Sequence, residues 1–169
     1  FLSGKNLTQI SLPIYINDDR SMLETISYQM RLAYKYLDKA AFEMKLERMK
    51  LTVSYFIQML HISMCGYKPF NPIIGETFQC RMVPPQENST ETSSPLDIYV
   101  EQTSHHPPIM NFYAKNENYV IYGYRIASAI GGVNSVTAAM EGTYSIKFND
   151  GTLISAKFPK LIVSGIVMG

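Results

Sequence analysis

Between residues 21 and 60, apolar residues recur with the period of amphipathic helices. The sequence SMLE at residues 21–24 fits a capping box, in which Ser21 takes the N-cap and Glu24 reaches back to it. Apolar positions follow at helical spacing, namely Met22, Ile26, Met30, Ala33 and Leu37. The pattern predicts a first helix that starts at Ser21.

A second helical pattern follows directly. Asp38 is a candidate N-cap for it. Its apolar positions recur at steps of three and four residues and are Phe42, Leu46, Met49, Val53, Phe56 and Leu60. The opposite face carries Glu43, Lys45, Glu47, Arg48 and Lys50. We predict two antiparallel or angled helices, each with its apolar face in the core and with methionines filling gaps there.

After Gly66 the pattern changes to short runs rich in β-branched and aromatic residues, which are typical of strands. The runs are 77–83, 96–103, 109–115, 119–129, 135–148, 152–158 and 160–167. Turn signals separate them, and Asp150-Gly151 is a strong hairpin signal because these residues tolerate positive φ. Short connections favour an antiparallel meander, so helices followed by strands predict an α+β fold. A long meander curls toward a closed or nearly closed barrel.

Neither a repeat nor a linker divides the chain, so we expect one domain over residues 1–169. Residues 1–20 form an extended first segment, residues 21–65 the helices and residues 66–169 the β-meander. The chain finishes in the apolar run LIVSGIVMG, which would leave an open strand edge. We therefore expect the domain to be truncated at its C-terminus.

Composition narrows the function classes. Hydrophobic residues make up 46% of the 169 residues and charged residues 17%, with a net charge of +1. This is a globular composition, and it argues against nucleic-acid binding by charge alone. Cys65 and Cys80 have no CxxC spacing, which argues against zinc and favours a reduced, intracellular chain. No apolar run approaches the roughly 18 residues of a membrane span, so membrane contact would be peripheral.

The segment GYKPFNPIIGETF at residues 66–78 combines two prolines, an asparagine and a glycine between the helices and the first long strand. Turn chemistry alone explains a rigid loop, because Pro69 and Pro72 fix φ and Gly75 permits an unusual backbone conformation. Turn chemistry does not explain Lys68. A cation on a stiff loop is preorganised to bind an anion.

The segment EQTSHHPPI at residues 101–109 places two of the three histidines side by side. Neighbouring residues of a strand point to opposite faces, but Pro107 and Pro108 prevent a central strand from continuing. The chain must bend there, and both imidazoles can then converge at the rim. Four interpretations remain from the residues alone: two exposed turn histidines, a metal site with Glu101, a nucleophile at Ser104 with a histidine as base, or an anion site.

These residues carry a resemblance to a known family. EQTSHHPP resembles the Glu-Gln-Val-Ser-His-His-Pro-Pro signature of the oxysterol-binding protein-related family, with Thr103 in place of valine. KPFNPIIGETF resembles the family's lysine- and proline-containing loop. SGKNLTQISLPIYI and LERMKLTVSYFIQML resemble the segment after its lid and its second helical region. The resemblance covers the whole chain and corresponds to about the N-terminal half of the family's lipid-binding domain.

The resemblance implies a lipid-transfer module without enzymatic activity and without cofactor or metal. Family members form an incomplete β-barrel around a tunnel that holds a sterol or another lipid. Many exchange it for phosphatidylinositol 4-phosphate, which is bound at the mouth, between apposed membranes. Matched residue by residue, the headgroup-binding residues are Lys68, Asn71, His105 and His106. Leu7 falls where members contact lipid at the base of the lid, and Glu76 would support the loop.

The resemblance also implies the partners and the location. We expect a sterol or phospholipid ligand, phosphoinositide-containing membranes, and a cytoplasmic, peripherally membrane-associated protein at membrane contact sites. Candidates for the tunnel lining are Tyr99, Phe112, Tyr122 and Tyr124, with ordinary core positions as the alternative. The family's C-terminal headgroup residues and most of its lid have no counterpart in the sequence. Two other functions stay open: a small serine hydrolase that uses Ser104 and an adjacent histidine, or a truncated fragment that does not transport lipid.

Overall fold

The computed structural model describes residues 14–63, 68–88, 93–132 and 135–164. Three helices precede most of the strands. The helices are α1 (Met22–Gln29), α2 (Ala33–Ala41) and α3 (Lys45–Ser63). The strands are β1 (Asn17–Ser21), β2 (Lys68–Phe70), β3 (Thr77–Met82), β4 (Leu96–His105), β5 (Pro108–Lys115), β6 (Tyr119–Gly131), β7 (Ser135–Phe148), β8 (Leu153–Lys157) and β9 (Lys160–Ser164).

The first helix begins where the sequence predicts. Ser21 is the N-cap of α1, and its hydroxyl oxygen accepts a hydrogen bond from the Glu24 amide at 3.2 Å. The predicted single helix is two shorter ones, because a 3-10 turn at Met30–Leu32 separates α1 from α2. Four of the five expected apolar positions are nevertheless buried, namely Ile26, Met30, Ala33 and Leu37. Met22 is only partly buried, and Leu23, which the pattern did not include, is buried instead.

Asp38 does not cap a helix, and that prediction is wrong. It lies inside α2 and is buried, with its carboxylate accepting hydrogen bonds from the Ser94 amide at 3.0 Å and Asn116 Nδ2 at 2.8 Å. Both donors come from the strand region, far away in sequence. An aspartate that bonds distant partners is indistinguishable, from local sequence alone, from one that caps the next helix.

The predicted buried face of the second helix is wrong at four of its six positions, Phe42 among them, while Phe56 is partly buried and packs against the core. Leu46, Met49 and Val53 are exposed, and Met49 therefore does not fill a core gap. The buried face instead carries Arg48, Thr52, Tyr55, Met59 and Ile62. Arg48 explains the rotation, because its guanidinium donates to the carbonyls of Ala40 and Ala41 and to the side chains of Asp150 and Thr152. A polar residue that donates hydrogen bonds to four acceptors can be buried at a position that the hydrophobic periodicity assigns to solvent.

The strands form the predicted antiparallel meander. The sheet order is β3-β4-β5-β6-β7-β8. Both β8 and β9 pair with β7: β8 pairs with residues 143–147 and β9 pairs with residues 135–139. The β7–β8 connection contains Gly151 with φ of 88°, as the Asp150-Gly151 signal indicates. Among the described strands, β3 does not pair with β8 or β9, so this sheet is open. The α+β class and an open sheet of the incomplete-barrel kind are confirmed.

One face of the sheet packs on the helices and the other faces outward. The inward positions include Ile98, Val100, Phe112 and Ile121, which belong to the same buried cluster as α1 and α2. Tyr99, Tyr122 and Tyr124 have the opposite strand parity and are exposed on the outer face. The four aromatic residues expected to line one tunnel therefore do not share a face, and only Phe112 points inward.

Candidate functional site

The lysine-bearing loop starts from a short parallel strand pair. β2 pairs with β1, with Lys68 opposite Asn17, and the loop at residues 71–76 follows. Lys68 is half-buried and Asn71 is exposed. Glu76 closes the loop, since its Oε2 accepts from the Ile73 amide at 3.0 Å and its own amide donates to the Ile73 carbonyl at 3.1 Å. These two hydrogen bonds fit the supporting role that the sequence predicts for Glu76.

Gln102 joins this loop to the strand that ends in the histidines. The Gly75 amide donates to the Gln102 carbonyl at 2.8 Å, and the Gln102 amide donates to the Glu76 carbonyl at 3.0 Å. Gly75 reaches this position with φ of 78°, in the region that favours glycine. The loop and the end of β4 therefore lie at one edge of the molecule.

The two histidines lie side by side at that edge. His105 is the last residue of β4 and pairs with Pro108 at the start of β5, so His106 and Pro107 form the turn. Their ring centroids are 4.5 Å apart with an interplanar angle of 53°, and both side chains are exposed. The predicted convergence of the two imidazoles is confirmed.

Within the described ranges, no salt bridge involves Lys68, His105 or His106. Ser104 has no hydrogen bond to either imidazole in that part of the chain, so the arrangement of a nucleophile on its base is not present there. Leu7 lies outside the described residues. None of these three nitrogen-bearing side chains is therefore neutralised by a carboxylate of the described residues.

Sequence reasoning did not assign a role to Gln102. The signal was there, because Leu96, Ile98, Val100 and Gln102 occupy successive inward positions of β4 and only the last is polar. Gln102 is 1% exposed, and its Nε2 lies 3.1 Å from Nδ1 of His105. One residue thus contacts the loop through its backbone and the histidine pair through its side chain.

An apolar groove of about 140 Å³ lies between α3 and the far strands. Its walls include Val53, Phe56, Ile57 and Leu60 from α3 and Tyr144 and Phe158 from the sheet side. The Tyr144 hydroxyl is hydrogen-bonded to the Tyr55 hydroxyl at 2.6 Å. Burial raises the pKa of Tyr144 well above its ordinary value, so this phenol stays neutral. Val53, Phe56 and Leu60, which the sequence assigns to the core, line this groove.

A buried cation lies behind the groove. Arg125 is 1% exposed, its guanidinium stacks on the Phe158 ring at 4.5 Å, and its Nη2 donates to Gln29 Oε1 at 2.7 Å. Its Nε and Nη1 have no hydrogen-bond partner in the described part of the chain. Burial lowers the pKa of Arg125 to about 10. Burial of Arg125 was not predictable from the sequence, since a strand arginine is ordinarily exposed.

In residues 14–63, 68–88, 93–132 and 135–164, no three His, Cys, Asp or Glu side chains are grouped as metal ligands would be. None of the described helices combines the length and apolar character that crossing a bilayer requires.

The family model described as oxysterol-binding protein matches residues 1–169. The chain belongs to the oxysterol-binding protein family. It is 36% identical to oxysterol-binding protein 9 of Dictyostelium discoideum over 99% of this chain and 38% of that protein. It is 33% identical to human oxysterol-binding protein-related protein 8 over 98% of this chain and 19% of that protein. The chain therefore spans well under half the length of these family members.

Solved structures of the family share the fold. The Osh1 ORD domain in complex with ergosterol superimposes with a TM-score of 0.83 at 24% identity, over 99% of this chain and 40% of that one. The Osh3 ORD of Saccharomyces cerevisiae in complex with PI(4)P gives 0.78 at 24% identity, over 98% and 43%. The family and the fold that the histidine and proline motifs indicate are both confirmed.

Proposed function

We propose that this chain is a lipid-binding and lipid-transfer module of the oxysterol-binding protein family. It binds the headgroup of phosphatidylinositol 4-phosphate at the edge formed by the lysine-bearing loop and the histidine pair, and an apolar lipid against the groove. The observation that carries the proposal is the double backbone link of Gln102 to Gly75 and Glu76, which supports a single site built from two distant segments.

The headgroup is held by complementary donors. Lys68 supplies a mobile point charge, Asn71 an amide donor, and His105 and His106 donate from their ring nitrogens. A phosphate monoester carries about 1.5 to 2 negative charges near pH 7. Two adjacent imidazoles with ring centroids 4.5 Å apart match several oxygens of one phosphate better than a single point charge does. The ergosterol and PI(4)P complexes of Osh1 and Osh3 support this assignment of ligand classes.

The apolar lipid packs on α3. Ligand sites ordinarily measure about 300–1,000 Å³, whereas the groove measures about 140 Å³. The described residues therefore provide one wall of a larger site. Val53 and Ile57 in this wall are exposed apolar residues, as expected of a surface that a lipid or further polypeptide covers.

Transport follows from exchange of the two ligands and involves no bond-making chemistry. A module of this kind visits membranes peripherally, because its headgroup site faces outward at one edge. We propose a cytoplasmic protein that acts between membranes at contact sites, with sterol or phospholipid as cargo and with no enzymatic activity, cofactor, metal or nucleic acid involved. The domain over residues 1–169 functions as one unit within this proposal.

The test is flotation with liposomes. Phosphatidylcholine vesicles that contain phosphatidylinositol 4-phosphate are compared with vesicles that contain phosphatidylinositol, which lacks only the 4-phosphate. We expect preferential binding to the former, weakened at least tenfold by Lys68→Ala or by His105→Ala/His106→Ala. Equal binding of wild type and both variants would refute the headgroup site.

The cargo is identified by mass analysis of lipid extracted from cell membranes by the protein. We expect one sterol or phospholipid class to be enriched, and Ile57→Asp in the groove wall to abolish the enrichment. Val120→Asp on the outer sheet face is the control and leaves the enrichment unchanged. A protein that binds the phosphoinositide vesicles but extracts no lipid would be a non-transporting fragment.

A further inference from the structure

Gln102 has a buried side chain whose contacts are incomplete. Its Nε2 lies 3.1 Å from His105 Nδ1, while its Oε1 has no hydrogen-bond partner in the described part of the chain. An apolar side chain of similar volume would fill the position without an unpaired acceptor. A requirement for packing alone therefore does not explain an amide at this position.

In the structure the amide nitrogen of Gln102, rather than its oxygen, lies next to Nδ1 of His105. An amide nitrogen donates and cannot accept, so Nδ1 of His105 must be the acceptor and must carry no proton. In the neutral ring the proton then resides on Nε2, on the side of the imidazole away from the amide. Because Gln102 is buried and His105 is exposed, this N–H points toward solvent.

We propose that Gln102 is the positioning residue of the headgroup site: its amide fixes His105 in the Nε2–H tautomer, so that a donor faces the phosphate. This inference rests on the proposed function for its use, while the tautomer itself is a property of the protein without ligand. The backbone of the same residue holds Gly75 and Glu76, so the orientation of the imidazole and the position of the loop depend on one strand residue.

The side-chain role is separable from the backbone role. Gln102→Met keeps the strand, a similar volume and both backbone hydrogen bonds, and replaces the side-chain amide, which includes both the donor and the unpaired oxygen, by an apolar group. Thr103→Val is a matched control on the same strand, because Thr103 is exposed on the opposite face and its hydroxyl oxygen accepts from Asn111 at 2.6 Å. Neither substitution alters a residue that contacts the phosphate in the proposal.

The first measurement is nitrogen NMR of protein labelled on its three histidines, at about pH 8.5, above the ordinary imidazole range. His105 is identified by the resonances lost in His105→Ala. We expect the Nε2–H pattern in wild type and in Thr103→Val, and a shift toward the Nδ1–H tautomer in Gln102→Met. An Nδ1–H pattern in wild type would overturn the proposal without any variant, and an unchanged His105 in folded Gln102→Met would do the same.

The second measurement is binding to the phosphatidylinositol 4-phosphate vesicles. We expect Gln102→Met to weaken binding about three- to tenfold, as loss of one well-placed donor does, and to have no further effect in a His105→Ala background. An equal loss in both backgrounds would mean that Gln102 acts through packing, which contradicts the proposal. If the tautomer shifts as expected but wild type does not bind the vesicles, the headgroup function fails and the tautomer assignment stands.

Discussion

The two ends of the sheet use similar polar side chains in different ways. At one end lie the loop at residues 71–76 and the histidine turn, here called the histidine end. At the other end lie the β5–β6 and β7–β8 turns, which meet where the Asn149 amide donates to the Asn118 carbonyl at 3.2 Å, here called the network end. Asp38 and Arg48 reach the network end from α2 and α3.

At the network end the polar groups bind one another. The Asp38 carboxylate takes two donors, and the Arg48 guanidinium takes four acceptors. At the histidine end, Lys68 and the two imidazoles have no ion-pair partner among the described residues. Pairing inside the protein, rather than residue type, thus separates the polar groups that bind one another from those that we propose to bind a ligand.

The largest effect is expected from Asp38→Ala. The substitution leaves the Ser94 amide and the Asn116 side chain buried without their acceptor, so we expect the free energy of unfolding to fall by about 3 kcal/mol. Chemical denaturation measures it. The matched control is Asp19→Ala, whose exposed side chain should matter by less than about 0.5 kcal/mol. Equal stability of the two variants would show that the hydrogen bonds of Asp38 do not stabilise the fold.

Arg48→Met tests the other half of the network end. The substitution keeps much of the volume but frees the Ala40 and Ala41 carbonyls at the C-terminus of α2, so we expect a loss of about 2 kcal/mol. Arg81→Met is the control, because the exposed Arg81–Asp97 pair is screened by solvent and should contribute less to stability than Arg48 does. A larger loss at Arg81 would reverse the ranking of buried and exposed arginines.

At the histidine end, stability and binding should separate. We expect His105→Ala/His106→Ala to change the free energy of unfolding by less than about 1 kcal/mol, because both side chains are exposed. The same variant should weaken vesicle binding by tenfold or more. A variant that unfolds as readily as Asp38→Ala would show that the histidine pair is structural.

The smallest effect is a change in the acid stability profile. The Thr152 amide and the Arg48 guanidinium lower the pKa of Asp150 to about 2, from an ordinary value of 3.8. A carboxyl whose pKa is lower in the folded state stabilises the fold above its unfolded pKa, and this contribution is lost as pH falls toward the folded value. We expect Asp150→Asn to flatten the loss of stability between pH 3.8 and about 2. Asp19→Asn should keep the wild-type slope, and an identical slope in Asp150→Asn would contradict the assignment.

Features that depend on local sequence were predictable. Ser21 caps its own helix, Asp150-Gly151 makes its own turn, and the histidine-proline motif bends its own strand. Family motifs additionally predicted the fold and the segments of the site. Each of these features requires only neighbours within a few residues or a motif of high specificity.

Features that depend on distant partners were not predictable. The orientation of α3 follows from acceptors for Arg48 that lie in the β7–β8 turn, and the position of Asp38 follows from Asn116. The outward direction of the tyrosine side chains depends on the strand register, which short aromatic runs do not determine. The strand pattern marks Gln102 as a polar residue at an inward position, but its hydrogen bonds to Gly75 and Glu76 are visible only in the folded chain.

A double-mutant cycle on vesicle binding shows whether Lys68 and the histidine pair belong to one phosphate site. Lys68→Ala, His105→Ala/His106→Ala and the triple variant are compared on vesicles with phosphatidylinositol 4-phosphate. Groups that bind one ligand are energetically coupled. We therefore expect the triple variant to lose less binding free energy than the sum of the two separate losses, by at least about 0.5 kcal/mol. If the two losses of binding free energy add up to that of the triple variant, the lysine and the imidazoles act independently and do not form one phosphate site.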